Sequence, residues 1–444
     1  MESLNPLSAL MPLIQRFSDS RGRGGLRQRR KCYVKLRPLP GLKSKAQGKY
    51  DFCLNALNQH YNAEVDMTAE NSPLVRLLTA ARAPLAAWPE RHPGRRAMGY
   101  TCTYVPEEII HAAGFVPVRV RTTPQVPTHA DAHVQSYTCA LCRSALDQLL
   151  RGELRFLAGM VFAHTCDTMQ ALSDLWAINV EPGTGWVETV MVPTNLASPS
   201  ARPYLIAELE RFRAHLAGHS GRPISDAALQ ASIALHNEKR RLLGRLHALR
   251  DRLTAAEFYS VVDAGAKMPP ELYVPLLAEL VEHLENIPSR PGSPRVVLVG
   301  AVLDDPALLD VLDELGAQVA DDDLCTGTRS FAELVAEVGD PIAALANRAL
   351  MRLPCPVKYQ PELPRGAHLR QRVEEAQADG VIFVLPKFCD PHAFDYALVK
   401  PELEAAGVPL LHLETEQTPA AEQIRTRVQA FLEMLNERPP VENH

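Results

Sequence analysis

Two kinds of hydrophobic pattern alternate along this chain. Short apolar runs at Phe115–Val120 and Phe156–Ala163 suit strands buried on both faces, and Arg96–Tyr100 and Val187–Val192 read as further strands. Ser136–Leu150 and Asp167–Ile178 instead repeat their apolar residues at helical spacing, and Pro106-Glu-Glu-Ile-Ile opens a further helix. The alternation returns from Pro294, with strands at Arg295–Gly300, Ala317–Ala320, Val381–Leu385 and Val408–Leu413. Pro306–Leu315, Pro391–Ala406 and Glu422–Leu435 are the helices of this block. The intervening stretch, Pro203–Glu285, is long, charged and repeatedly amphipathic, which predicts three or four helices, one opening at Pro269-Pro270. The expected fold is α/β: two Rossmann-like or flavodoxin-like parallel-sheet domains joined by a helical segment, behind an irregular N-terminal extension. The boundaries fall at 1–95 for the extension, which is partly helical, 96–200 for the first α/β domain, 201–290 for the helical segment and 291–444 for the second α/β domain.

Composition narrows the class. Hydrophobic residues make up 46% and charged residues 22% of the 444, as in a folded globular protein. A net charge of −5 argues against a nucleic-acid partner. No apolar run approaches the roughly 18–20 residues that span a bilayer. The apolar patch Leu7–Ile14 follows Glu2 rather than positive charge and leads to no small-residue cleavage site, so a cytoplasmic protein is expected. The glycine-rich basic run Arg21–Lys31 reads as a solvated arm, and its glycines do not follow a strand as a dinucleotide loop would.

A cytoplasmic setting changes what the nine cysteines mean, because thiols there stay reduced. Reduced cysteines serve as small core residues, nucleophiles or soft metal ligands. Cys102, Cys139, Cys166, Cys325, Cys355 and Cys389 all fall at strand ends, helix entries or loops, where ligands of open α/β sheets collect. Helix N-termini also favour the thiolate that binds metal. Cys139-Ala-Leu-Cys142 is a lone pair at this spacing and makes no zinc ribbon.

The surroundings of these cysteines form ordered blocks. Gly99-Tyr-Thr-Cys102-Thr-Tyr-Val-Pro106, Cys139-Ala-Leu-Cys-Arg143-Ser144, Thr165-Cys166-Asp167, Asp322-Asp-Leu-Cys-Thr-Gly327-Thr-Arg329, Phe388-Cys389-Asp390 and Gln423-Ile-Arg425-Thr-Arg427 follow one another between about residues 97 and 436. In type and order they resemble the 2-hydroxyacyl-CoA dehydratase and benzoyl-CoA reductase subunit family, of the 2-hydroxyglutaryl-CoA dehydratase D-component type. The resemblance implies a [4Fe–4S] cluster held between the α/β domains, with Cys102, Cys139 and Cys389 as ligands and Cys355 at the place of a fourth. Four thiolates close a cluster and suit electron relay, whereas three leave an iron open as a Lewis acid. The resemblance further implies a sister subunit of the same family or a second copy of this chain as partner. It also implies an ATP-dependent iron–sulfur activator as electron donor, consistent with the lack of a P-loop here, and an acyl-CoA substrate. The implied reaction is loss of water from a 2-hydroxyacyl-CoA through a ketyl radical. The alternatives are reduction of an aromatic acyl-CoA ring, electron relay, or a double-cubane reductase using the spare Cys142, Cys166 and Cys325.

Other polar residues have plainer readings. Asp321-Asp322-Asp323 orders a loop in preference to binding a divalent cation. His111 and His164 are structural, and the helix dipole accounts for Glu107 and Glu108. Trp176 belongs to the core, while Arg425 and Arg427 meet either CoA phosphates or surface carboxylates.

Overall fold

The computed structural model describes residues 71–180, 185–290, 292–303, 306–416 and 421–437, all within one compact unit spanning Ala63–His444. Most of the expected N-terminal extension, with Leu7–Ile14, the basic run Arg21–Lys31, Cys32 and Cys53, lies outside these residues. The described part of that lead-in is helical: α1 (Pro73–Arg82) and α2 (Trp88–Arg91). Ser72 starts α1 by accepting the Val75 amide, with Pro73 in the first turn where no amide hydrogen is missed.

The first block forms β1 (Ala97–Tyr100), α3 (Glu107–Ala112), β2 (Val116–Arg119), α4 (Ala140–Leu150), β3 (Leu157–Ala163), α5 (Asp167–Asn179) and β4 (Trp186–Val190). Four helices follow, α6 (Ala201–Ser220), α7 (Asp226–Ala248), α8 (Ala255–Gly265) and α9 (Pro270–Glu285). The second block is β5 (Arg295–Gly300), α10 (Ala307–Glu314), β6 (Gln318–Asp323), α11 (Pro341–Met351), α12 (Arg365–Glu375), β7 (Gly380–Pro386), α13 (Asp390–Ala405), β8 (Leu410–Thr415) and α14 (Ala421–Glu437). Both sheets are parallel, in the orders β2-β1-β3-β4 and β6-β5-β7-β8, and so they share one topology. The strand order reverses between β1 and β3 in one sheet and between β5 and β7 in the other. In such sheets the carboxyl ends at the reversal bracket the ligand crevice.

Each sheet is covered on both faces, which explains why most of its strands are rich in apolar residues. Val118, Met160 and Phe162 face α4 and α5, whereas Met98, Val161 and Val190 face α3 and α6. In the second sheet Val297, Val299 and Phe383 face α12 and α13. Its opposite face meets α8, α9, α10 and α14 through Leu298, Ile382 and Leu413. The helical segment is therefore part of both cores. Leu229 and Ile233 near the start of α7 pack in the first, while Leu242, Leu243 and Leu246 near its end pack in the second. Close approach constrains Gly300 at the end of β5, where a Cβ would collide with the Val384 carbonyl.

The structure departs from expectation at three places. Strand β6 runs on to Asp323, so the three aspartates are buried strand residues, with Asp322 and Asp323 fully enclosed. Helix α4 begins at Ala140, four residues later than its periodicity suggests. Glu107 and Glu108 have firmer partners than a helix dipole: Glu107 takes Lys239 at 2.8 Å and the Tyr100 hydroxyl, and Glu108 takes Arg240. Glu108 and Arg240 are 1% and 3% exposed, so neither charge has water to fall back on.

That pair joins α3 to α7 just behind the β1–α3 loop. Glu108→Ala strands a buried guanidinium and is expected to lower stability by about 3–5 kcal/mol, whereas Glu108→Leu with Arg240→Met recovers most of the loss. Urea unfolding of the single and double variants measures both.

Candidate functional site

Every described cysteine is a free thiol, and all but one sit where a strand or loop gives way to the next element. Cys102 follows β1; its loop is held by Arg119 Nε on the Thr101 carbonyl (3.0 Å) and by Arg352 on the Thr103 carbonyl (2.8 Å) and hydroxyl (2.9 Å). Cys139, Cys166 and Cys389 are the N-caps of α4, α5 and α13. The chain reaches Cys139 through a segment anchored by Asp147, whose carboxylate accepts the amides of Thr128, His129 and Ala130 at 2.7–3.1 Å. Before Cys389, Phe388 takes a left-handed φ of 64°, a conformation that costs a bulky residue about 1–3 kcal/mol. Cys325 follows β6, and Cys355 lies between Pro354 and Pro356 beyond α11. Cys142 is the exception, buried inside α4.

The carboxyl ends of the two sheets face each other. Arg119, at the end of β2, donates to the Cys325 carbonyl at 2.7 Å, so one guanidinium ties the loops after β1 and β6. Arg352 joins the Arg329 carbonyl (2.5 Å) to Thr103 in the same way. The structure sets Cys355 near Cys102 and Cys325, and Cys389 near Cys139, Cys166 and Cys325. Burial raises the Cys355 thiol to about 11 despite the nearby Arg329, with Cys325 and Cys102 adding to the rise. Burial and then Cys139 raise Cys389, with Cys166 and Cys325 contributing. Cys166 is raised to about 11 by burial, reinforced by Cys139 and Cys102. Cys139 goes the other way, to about 7. The Cys142 thiol donates to it, and the amides of Cys142 and Leu141 at the helix start outweigh its burial.

Asp323 organises the second half of this site. It accepts both Arg329 Nε and Nη2 at 2.6 Å and Arg365 Nη1 at 2.6 Å. Arg329, 2% exposed, also reaches the Gly300 carbonyl (3.1 Å) and Cys325 Sγ (3.6 Å). Arg365 continues to the Pro354 carbonyl (2.9 Å) and to both oxygens of Asp395 on α13 (2.8 Å). One carboxylate thus links the segments of Cys325, Cys355 and Cys389. His392 Nδ1 lies 3.4 Å from Cys389 Sγ, and burial, with Arg329 and Arg365, keeps this imidazole neutral.

Sequence reasoning missed Arg119, Arg352 and Tyr104. The Arg352 guanidinium lies 4.5 Å and the Lys358 ammonium 5.4 Å from the centre of the Tyr104 ring. The Tyr104 hydroxyl is buried with no hydrogen-bond partner among the described residues, and Cys355 and Cys102 add to the burial that raises its pKa. The signal available in the sequence was Tyr104 two places after Cys102; the arginines come from distant elements.

These residues fit an anionic, soft-ligand group. Arg119 and Arg352 are buried cations whose partners among the described residues are carbonyls and a hydroxyl, and Lys358 donates to the Val192 carbonyl. A buried cation needs a counter-charge, and thiolates on a metal would supply it. The cysteines sit on separate elements, as ligands of different irons would. The oxygen-rich candidate does not fit a cation. His247, Asp321 and Asp322 bring ligand atoms within 4.8 Å of one another. Arg372 already holds Asp321 at 2.7 Å, and Arg250 holds Asp322 at 3.3 Å. Asp322 also fixes the loop ahead of it, accepting the Thr328 amide (2.8 Å) and hydroxyl (2.7 Å). His111 bonds Ser232 and Glu271, His164 bonds Gln170, and Arg425 pairs with Glu314 at the surface.

Matched parallel sheets, with cysteines in the loops and helix starts at their carboxyl ends, define a two-sheet α/β protein. The chain belongs to the 2-hydroxyglutaryl-CoA dehydratase, D-component family, whose model matches residues 102–435. It is 29% identical over 350 residues to the (R)-phenyllactyl-CoA dehydratase beta subunit of Clostridium sporogenes, covering 77% of this chain and 92% of that one. The lactoyl-CoA dehydratase beta subunit of Anaerotignum propionicum is 29% identical over 355 residues, with 77% and 92% covered. A benzoyl-CoA reductase subunit of Thauera aromatica is 31% identical over 369 residues, with 80% and 94% covered. As in these relatives, the chain is an enzyme subunit of the lyase or oxidoreductase kind. No described helix is long and apolar enough to cross a membrane.

Cys139 is expected to be alkylated ahead of Cys142, Cys166, Cys355 and Cys389, whose thiols are raised, its rate rising with pH through a midpoint of about 7. Cys142→Ala removes the donated hydrogen bond and should move that midpoint upward. Iodoacetamide labelling read by peptide mass spectrometry measures the order and the midpoint.

Proposed function

We propose that this chain is the iron–sulfur subunit of a 2-hydroxyacyl-CoA dehydratase, with a [4Fe–4S] cluster on Cys102, Cys139, Cys389 and Cys355. The observation that supports the reading is that Cys102 neighbours Cys355 and Cys139 neighbours Cys389 in loops and helix starts at the facing sheet ends, in a chain of the dehydratase family. When bound, the cluster would supply single electrons of low potential for forming a ketyl radical from the thioester, from which hydroxide leaves. The protein's own residues do the rest. Cys139, whose pKa is lowered, would offer a thiolate at neutral pH. Arg119, Arg329 and Arg352 offset the added negative charge, and the Tyr104 hydroxyl is free to donate to a sulfur or a substrate oxygen. The electrons come from an ATP-hydrolysing activator. The relatives named beta subunits support a sister subunit as partner.

Reduction of an aromatic acyl-CoA ring is the second reading, favoured by the 31% identity to the benzoyl-CoA reductase subunit. The two readings share the site and differ in the fate of the electron.

Protein purified without oxygen is expected to be brown, with about four irons per chain. Cys139→Ser and Cys389→Ser should lose most of that iron. Cys355→Ser should keep about three-quarters or more of it with an altered electron paramagnetic spectrum, as loss of one of four ligands exposes one iron. Colourless, iron-free protein would sink the proposal, and about eight irons would favour a double cubane drawing on Cys142, Cys166 and Cys325.

A further inference from the structure

A cleft lined by charged residues opens next to Cys102, between the β1–α3 loop, the end of β2, helices α7, α8 and α11, and the loop after β6. Five cations line it: Arg119, Arg121, Lys239, Arg240 and Arg348. Glu107 and Asp263 are its lining carboxylates, and both are taken, by Lys239 (2.8 Å) in one case and by Arg121 with Lys267 (2.6 Å) in the other. Glu108 answers Arg240 from behind, yet the buried Arg240 Nε still lacks a partner among the described residues.

Arg119 and Arg348 meet no carboxylate among the described residues. Arg348 donates only to main-chain carbonyls, Nε to Glu333 at 2.9 Å and Nη2 to Ser330 at 3.4 Å. Burial and the like charges of Arg240 and Arg352 pull its pKa down to about 9, so it remains a cation at neutral pH at a cost to the fold. The thiols do not explain that cost, because the groups acting most strongly on Arg348 are Arg240, Arg352, Glu108 and Glu333. Gathering like charges around a cavity makes sense where an anion enters it.

We propose that this cleft is an oxyanion site, in which Arg348 and Arg119 receive a carboxylate or phosphate group carried by the acyl thioester. The assignment rests on the thioester reading above and adds the part of the substrate that this chain grips. The ligand's oxyanion would sit beside Thr103 and Ser330, which line the same cleft. Two sources share this chemistry: a second carboxylate on the acyl chain, or the phosphates of the coenzyme.

The test uses the full chain purified without oxygen, titrated at low ionic strength with glutarate, inorganic phosphate and coenzyme A while binding heat and thermal midpoint are followed. At least one of the three is expected to bind and protect the protein. Arg348→Gln should weaken that binding roughly tenfold or more, as loss of a charged hydrogen-bond donor does, with iron content unchanged and the unliganded midpoint no lower than the parent's. Arg348→Lys keeps the charge and should fall between. Protection by glutarate alone assigns the carboxylate, and protection by phosphate and coenzyme A assigns the nucleotide end. Equal affinity in parent and Arg348→Gln, or no binding by any of the three probes, overturns the proposal. Iron content is read separately, so failure of the cluster reading shows as missing iron and failure of this site as missing binding.

Discussion

The carboxylate of Asp323 is the constraint on which the second half of the site depends. It is fully buried and accepts three hydrogen bonds from two guanidiniums, those of Arg329 and Arg365. Desolvating a carboxylate is expensive, and here Arg329 and then Arg365 more than reverse that penalty, holding its pKa far below the usual range. Each guanidinium then reaches a different cysteine segment: Arg329 to Cys325, Arg365 to Pro354 beside Cys355 and to Asp395 on the helix that Cys389 caps. Through the Arg329 carbonyl the chain of contacts passes to Arg352 and on to the Cys102 loop. Four cysteines separated by 287 positions in sequence, from 102 to 389, are thereby referred to a single buried charge.

The surplus of buried cations follows from the same arrangement. Asp323 balances one of its two arginines and Asp395 the other, while no carboxylate among the described residues pairs with Arg119, Arg352 or Arg348. A fold selected for stability alone would pair or discard them. They make sense beside thiolates and an incoming anionic ligand, which bring the missing negative charge with them. Local stability is then given up for electrostatic preorganisation, and the cost is recovered when the site is filled.

Strand β5 was legible because four apolar residues, Val296–Val299, run together before Gly300, and α9 because Pro269-Pro270 marks its start. Helix α12 was not, since its buried residues are only Gly366, Leu369 and Val373 in an otherwise polar stretch. Helix α11 is small-residue and alanine-rich, and packs with the first sheet's core rather than with the second. Sequence pattern ends β6 at Ala320 because aspartates are poor strand residues; Asp321–Asp323 continue it because Arg250, Arg329, Arg365 and Arg372 neutralise them from four other places in the chain. The cysteine positions could be read from motif order, whereas the charges around them could not. Arg119, Arg352 and Tyr104 carry no local pattern, and their roles exist only once the two sheets face each other.

That distinction bears most on Cys355. From sequence, its proline-flanked loop could be mobile enough to leave a cluster three-coordinate. The structure describes a loop tied on both sides: Arg365 holds the Pro354 carbonyl, and the Lys358 amide closes onto the Cys355 carbonyl at 2.9 Å. Beyond it, the Tyr359 amide bonds the Thr194 carbonyl at 2.8 Å and Lys358 Nζ the Val192 carbonyl, both on the segment that follows β4. Prolines on either side reduce the alternatives open to the backbone further. To withdraw Cys355, several of these bonds would have to break together. A loop fixed in this way is consistent with the proposed fourth ligand, under which a closed cluster would pass electrons on instead of binding substrate at an open iron. On that view the basic cleft, not the metal, is where this chain would take hold of an anionic ligand.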